Sequence, residues 1–378
     1  QLRDATGELR ALAADWDRSV DDMQWSRDGK SLLVIAGDLG TTRLFRIDVK
    51  SGMVTPMSTK GHMDVVHETP NGYVFLKSGL NSPSQLFLSK KGSRMIDSGA
   101  TTMTTVNEIL KTKEFGAFEQ FEFSGWNNET VHGYVIKPAG YVHGKKYPVA
   151  FLIHGGPQGS FGDGWSFRWN PQTYAGAGYA VVMIDFHGST GYGQAFTDAI
   201  QLHWGDRPLE DLQKGWAHAL DKYPFLDGDR AAALGASYGG FMVNWIAGKW
   251  QDPWKCLVSH NGIFDARAMG HTTEELWFTD RENGASVFNN PSAYDTFNPM
   301  LHAKFWSVPM LVIHSDKDYR VPMDQGIGVF TALQYKGIES QFLRFPDENH
   351  WVLKPQNSMQ WHRTVFEWLE AHIGGGAK

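Results

Sequence analysis

"LGASYGGFM", residues 234–242, sets one serine among three glycines directly behind an apolar run. Gly235-Ala236-Ser237-Tyr238-Gly239 fits the G-x-S-x-G nucleophile elbow, a strained turn that lifts a serine oxygen clear of a sheet. The elbow requires a strand before it and a helix after it. "RAAALGAS" supplies a buried apolar run ending at Leu234, and "GGFMVNWIAGKW" has the pattern of a helix. A β-carbon at Gly235 or Gly239 would strike the neighbouring strand or helix, which explains the glycines. Five residues with three fixed positions recur by chance, so the flanking chain has to decide.

Outward from the elbow, continuous apolar runs alternate with helical patterns: "YPVAFLIH", "GYAVVMIDF", "RAAALGAS", "KCLVSHNG", "VPMLVIHS" and "SQFLRFP". Between them, "GDRPLEDLQKGWAHALDKY" and "MDQGIGVFTALQYKG" carry the 3.6-residue spacing of helices. Buried runs alternating with helices predict an α/β fold, a mostly parallel sheet covered on both faces. "FEQFEFSGW" and "ETVHGYVIKPAG" predict an antiparallel hairpin leading into it. Before about residue 115 the texture differs. "MQWSRDGKSLLVIAGDLGTTRLFRIDVKSGMVTPMS" has the grammar of a four-stranded propeller blade, and "GYVFLKSGLNSPSQLFLSKKGSRMIDSG" repeats it. "LRDATGELRALAADWD" resembles the outer strands of another blade. A small β-sandwich is the alternative. The expected organisation is a partial propeller over residues 1–115 and an α/β-hydrolase domain over residues 116–378. A propeller closes with about 4 to 8 blades, so the missing portion of the same polypeptide is an expected partner.

The composition bounds the rest. The chain has 378 residues, 42% hydrophobic and 20% charged, as globular proteins do. A net charge of −6 without a basic cluster speaks against nucleic acid. No apolar run approaches the ~18 residues that span a bilayer, so no membrane helix is expected. Cys256 is the one cysteine, which excludes an intramolecular disulfide and a zinc–cysteine cluster. His62 and His67 lack a carboxylate cluster at ligand spacing, so no metal is expected. No cofactor is expected either. Gly176-Ala177-Gly178 precedes a strand, the wrong order for a dinucleotide fingerprint, and "GSTGYG" lacks the Lys-Ser/Thr of a P-loop. Oligomerisation and the cellular compartment stay open.

Ligands on such sheets sit beyond the carboxyl ends of the strands. Three candidate side chains fall there. Ser237 needs a base to remove its proton, and His350 in "FPDENHWV" follows the last strand near the C-terminus. His314 and His154 abut their strands, the place of scaffold imidazoles. A carboxylate must orient the base. "HSDKDYRVP" offers Asp316 and Asp318, of which Asp318 lies further out on the loop and Asp316 is placed to brace it. Ser237, Asp318, His350 is the chain order of α/β-hydrolases. The oxyanion would be met by the backbone N–H of Tyr238 and by the "HGGP" loop, where Pro157 has no N–H and Gly156 is the natural donor.

Taken together, "GASYGGFM", "HGGPQG", "DFHGSTGYGQAF" with "HWGD", "HSDKDYRVP" and "FPDENHWVLKP" resemble the prolyl oligopeptidase family of serine peptidases. His-Gly-Gly-Pro is similar to its acylaminoacyl-peptidase and dipeptidyl-peptidase V branch. The resemblance implies hydrolysis of short peptides, as an exopeptidase freeing dipeptides or acyl-amino acids, in a chamber roofed by the propeller. It also implies a first specificity pocket lined by Tyr238, Ile263, Phe264 and Val321, with Trp277 and Phe278 of "TEELWF" as further candidates. An esterase using the same triad, or a catalytically silent interaction module, are the alternatives.

Overall fold

The computed structural model describes residues 2–3 and 7–374; residues 4–6 of the stretch read as outer blade strands lie outside them. The chain forms two units. The first comprises Gln1–Glu114, Ser160–Asn170 and Thr190–Thr197, and the second Phe115–Gly159, Pro171–Ser189 and Asp198–Lys378.

In the first unit, β1 (Leu2–Arg3) and β2 (Leu9–Arg10) pair antiparallel. β3 (Val20–Trp25), β4 (Ser31–Asp38), β5 (Thr41–Asp48) and β6 (Val54–Pro56) form an antiparallel meander. β7 (His62–Thr69), β8 (Gly72–Gly79), β9 (Ser82–Leu88) and β10 (Thr101–Thr102) form a second. One parallel pairing, Thr42 with His62, joins the two. The β4–β5 hairpin turns on Leu39 and Gly40, both at positive φ (52° and 76°), as a type I′ turn matched to strand twist demands. Alternate residues of both meanders meet in one core of Leu33, Ile35, Leu44, Met63, Val66 and Phe75. The repeat predicts two four-stranded blades and part of a third over residues 1–115, and each meander has four strands.

The second unit is built on an eight-stranded sheet. Its strands are β11 (Phe118–Ser124), β12 (Thr130–Ile136), β13 (Tyr147–Ile153), β14 (Ala180–Asp185), β15 (Leu226–Ala236), β16 (Trp254–His260), β17 (Met310–Ser315) and β18 (Ser340–Phe345). Their order is β11-β12-β14-β13-β15-β16-β17-β18. The hairpin β11–β12 and the β12–β14 pair are antiparallel, and every pair from β14 to β18 is parallel. All residues of β13, β14 and β17 are buried. Because side chains alternate between faces, that burial requires cover on both sides. The helices α1 (Pro171–Gly176), α3 (Arg207–Lys222), α4 (Tyr238–Lys249), α7 (Met323–Tyr335) and α8 (Pro355–Ile373) pack on these strands. Between them in sequence lie α2 (Gln194–Asp198), α5 (Ala266–Thr272) and α6 (Leu276–Asn283).

Strand order places the chemistry. From β13 the chain crosses back to β14, and from β15 it proceeds the other way through β16, β17 and β18. Connections therefore diverge at the β13–β15 boundary, leaving a crevice at their carboxyl ends. The "HGGP" loop leaves β13 on one side of it and Ser237 leaves β15 on the other.

Candidate active site

Ser237 has φ 60° and ψ −121°, a region that side-chain-bearing residues rarely occupy. Its N–H donates to His260 O at 3.0 Å, and its carbonyl accepts from Phe241 N–H at 2.8 Å, the first bond of α4. The turn is that tight because glycines allow it. A β-carbon on Gly239 would collide with the carbonyl oxygen of Ile153 on β13, and one on Gly235 with the backbone of Gly239. The sequence expectation for both glycines thus has a steric basis in the structure.

Ile153 pairs with Gly235, so the loop after β13 starts level with the elbow. A β-carbon on Gly155 would lie 3.2 Å from Ser237 Cβ. His154 is buried and stacked on Phe186 at 4.2 Å. Burial, its largest influence, holds the imidazole below its usual pKa, so it is neutral. Nδ1 lies 2.8 Å from Gly155 O and Nε2 lies 2.8 Å from Ser189 Oγ. The network assigns the proton to Nδ1, which donates to the carbonyl, while Nε2 accepts from the hydroxyl. Gly155 C=O and Gly156 N–H are opposite ends of one peptide plane. Gripping the carbonyl fixes where the N–H points, and Gly156 itself is exposed.

Asp318 and His350 meet across the ends of β17 and β18. His350 Nδ1 lies 2.5 Å from Asp318 Oδ2. The other oxygen, Oδ1, accepts N–H bonds from Arg320 (3.0 Å) and Val321 (2.9 Å). Both groups are buried. A carboxylate fixed by two amides presents its second oxygen in one direction, and so sets how the His350 ring is turned. Asp316 points elsewhere. It takes both Arg344 donors at 2.7 and 2.6 Å, and that bidentate bond holds its carboxyl below the usual range. His314 lies inside β17; its Nε2 donates to Val321 O at 2.8 Å, and burial lowers its pKa.

Two residues that the sequence reading did not single out hold this arrangement. Asn261, fully buried just after β16, donates to His350 O (3.1 Å) and accepts from Ser315 N–H (3.2 Å). Glu348 accepts from Leu353 and Lys354 N–H (2.8 and 2.9 Å) and from Asn357 Nδ2 (2.7 Å), folding the His350 loop against the start of α8. The only hint in sequence is the Asn-Gly turn signal of "SHNG".

One turn along α4 from the elbow, at Phe241, lies a cavity of about 200 Å³, lined also by Trp204, Ile263, Met269 and Phe297 among others. Of the residues named for the specificity pocket, Ile263 lines it. Tyr238 is buried behind the lining, its ring 5.2 Å from Trp204 and 5.4 Å from Phe241. Phe264 packs on Trp306, Val321 is buried in the acid loop, Phe278 lies 5.9 Å from Trp204, and Trp277 is largely exposed. Among the described residues no three His, Cys, Asp or Glu side chains are placed to hold a metal ion, and no helix is long and apolar enough to cross a membrane.

Sheet order, elbow and the acid–imidazole pair define an α/β-hydrolase. The comparisons narrow the class. Residues 165–376, more than half of the chain, match the model of the prolyl oligopeptidase family, and this chain belongs to that family. It is 41% identical to dipeptidyl-peptidase 5 of Aspergillus fumigatus over 376 residues, covering 97% of this chain and 51% of that protein. Identity to dipeptidyl-peptidase 5 of Schizosaccharomyces pombe is 38% over 374 residues, covering 96% and 53%. Acylaminoacyl peptidase of Pyrococcus horikoshii superposes with a TM-score of 0.85 at 25% identity, over 98% of this chain and 59% of that one. The chain thus spans about half the length of the curated relatives it matches. The likeness covers both the antiparallel strands before residue 115 and the hydrolase domain, so the antiparallel sheet matches the C-terminal portion of propeller-containing peptidases of this family.

Proposed function

We propose that this chain hydrolyses short peptides through an acyl-enzyme, with Ser237 as nucleophile, His350 as base and Asp318 as its orienting acid. The observation that carries the reading is the buried 2.5 Å contact between Asp318 and His350, formed by loops that follow strands of the same parallel sheet as the strained elbow serine. Ser237 Oγ attacks the scissile carbonyl as His350 Nε2 takes its proton. Charge on the imidazole is stabilised by Asp318 through Nδ1–H. The oxyanion is met by the N–H groups of Gly156 and Tyr238, the first aimed by His154. His350 then returns the proton to the leaving amine, and a water, deprotonated the same way, frees the acid. The cavity beside Phe241 and Ile263 receives the side chain of the residue being acylated.

The named relatives support an exopeptidase that releases dipeptides or acyl-amino acids from N-termini. Two blades are too few to close a propeller of about 4 to 8, so a further portion of the same polypeptide is the proposed partner of the first unit. In the full-length gene product, Ser237→Ala should lower kcat by roughly 10⁴-fold with the fold intact. Retention of more than a small residue of peptidase activity, or failure of a fluorophosphonate to label Ser237, would remove the reading. Mass spectrometry of digests of free and acetylated peptides separates exopeptidase from endopeptidase.

A further inference from the structure

The wall of the cavity contains a carboxylate with no exposed side-chain surface, Glu282 on α6. A buried charge is costly unless paired and fully hydrogen-bonded, so its partners matter. The Arg281 guanidinium contacts Oε1. Oε1 also accepts from Gln158 Nε2 at 3.1 Å, and Oε2 accepts from Trp204 Nε1 at 2.7 Å. Gln158 stands two residues past Gly156 on the loop that carries one oxyanion donor. Trp204 accepts the Tyr238 hydroxyl on its backbone carbonyl at 2.7 Å, and Tyr238 carries the other donor. From this one carboxylate, one hydrogen bond leads to the loop of Gly156 and two in succession lead through Trp204 to the side chain of Tyr238.

We propose that Glu282 is a positioning residue that couples filling of the cavity by a large side chain of the acylated residue (P1) to the alignment of both oxyanion donors. The proposal rests on the peptidase reading given above. The cavity, about 200 Å³, exceeds the ~150 Å³ of an apolar cavity that binds benzene, so an aromatic ring fits. Such a ring contacts Trp204, Phe241 and Phe297, and Trp204 is one of the three groups bonded to Glu282. Small P1 side chains leave the Trp204 ring unpacked on its cavity side. The energy of filling therefore emerges where donors meet the oxyanion, in kcat, rather than in ground-state binding.

The test uses the full-length protein and dipeptidyl amides that differ only at P1, glycine, alanine, leucine and phenylalanine. The unmodified enzyme should show a kcat for phenylalanine at least about tenfold above that for glycine, the scale of a misplaced oxyanion donor. Glu282→Gln keeps the shape but turns one acceptor into a donor facing Trp204 or Gln158. Gln158→Leu cuts the link to the loop without touching the cavity lining. Each should bring the phenylalanine-to-glycine ratio of kcat close to one, with KM for phenylalanine changed little. Variants that fold, judged by Tm, and keep the wild-type ratio would overturn the proposal. So would an equal fall for all four substrates, an effect confined to KM, or a wild-type enzyme indifferent to P1. Wild-type enzyme that hydrolyses no amide at all overturns the peptidase reading itself, which is a different result.

Discussion

Asn261 shows how much of an active site rests on side chains that do no chemistry. Its amide pairs with Ser315 N–H and His350 C=O, so Asn261→Ala strands two buried backbone groups at once. Leaving a buried donor or acceptor unpaired costs about 1–3 kcal/mol each. Asn261→Ala should lower Tm by several degrees and kcat more than tenfold, since the His350 backbone loses its anchor. Thermal unfolding and steady-state kinetics check both; a normal kcat with lowered Tm would show that the anchor serves stability alone. Ser237, Asp318 and His350, the proposed triad, could be read from sequence because acyl transfer demands those residue types at strand ends in a fixed order. Asn261, Glu348 and Glu282 could not, because each answers backbone or side-chain groups that tertiary folding brings to it. Satisfying a distant N–H leaves no periodicity.

At the level of elements, what is legible follows burial. β13, β14 and β17 are buried on both faces and stand out as unbroken apolar runs, whereas their order in the sheet depends on crossovers that no local pattern records. β17 also runs past the apolar stretch to include His314 and Ser315, whose pairing with β18 continues after hydrophobicity stops. "DFHGSTGYG" hides a similar device. His187, at the end of β14, is fully buried with its Nδ1 2.6 Å from Asp211 Oδ2 on α3. Asp211 also accepts the N–H groups of His187 and Trp126, each at 2.7 Å, tying the β11–β12 connection to the helix. Burial opposes charge on His187, but the hydrogen bond and charge of Asp211, with Glu129 beyond, outweigh it and raise the imidazole above its usual value. The folded state thus binds this proton more tightly than the unfolded chain. Its contribution is fully present below the unfolded pKa of about 6.5 and is lost as pH rises through the higher folded value. The Tm difference between wild type and His187→Asn should accordingly be largest at about pH 6 and narrow by about pH 9. A gap that widens with pH would contradict the pairing.

At the level of the molecule, the first unit carries an unfinished surface. Among the described residues β3 pairs only with β4, so its other edge presents free backbone groups. Val20, Met23 and Trp25 on that strand are 47%, 62% and 52% exposed. An apolar strand with an open edge is a template for pairing with another chain. The curated relatives are about twice as long, and the further portion of the polypeptide proposed above as partner of the first unit is the proposed cover for this strand. Residues 1–378 produced alone should therefore self-associate at micromolar concentration, while the full-length gene product should not do so through this edge. Replacing Met23 and Trp25 with lysine should reduce association of the shorter protein without altering hydrolysis of a small ester that needs only the second unit. Sedimentation and light scattering across a dilution series decide it. A shorter protein that stays monodisperse and monomeric would show that β3 is closed by its own chain, and that the blades need no further partner to be soluble.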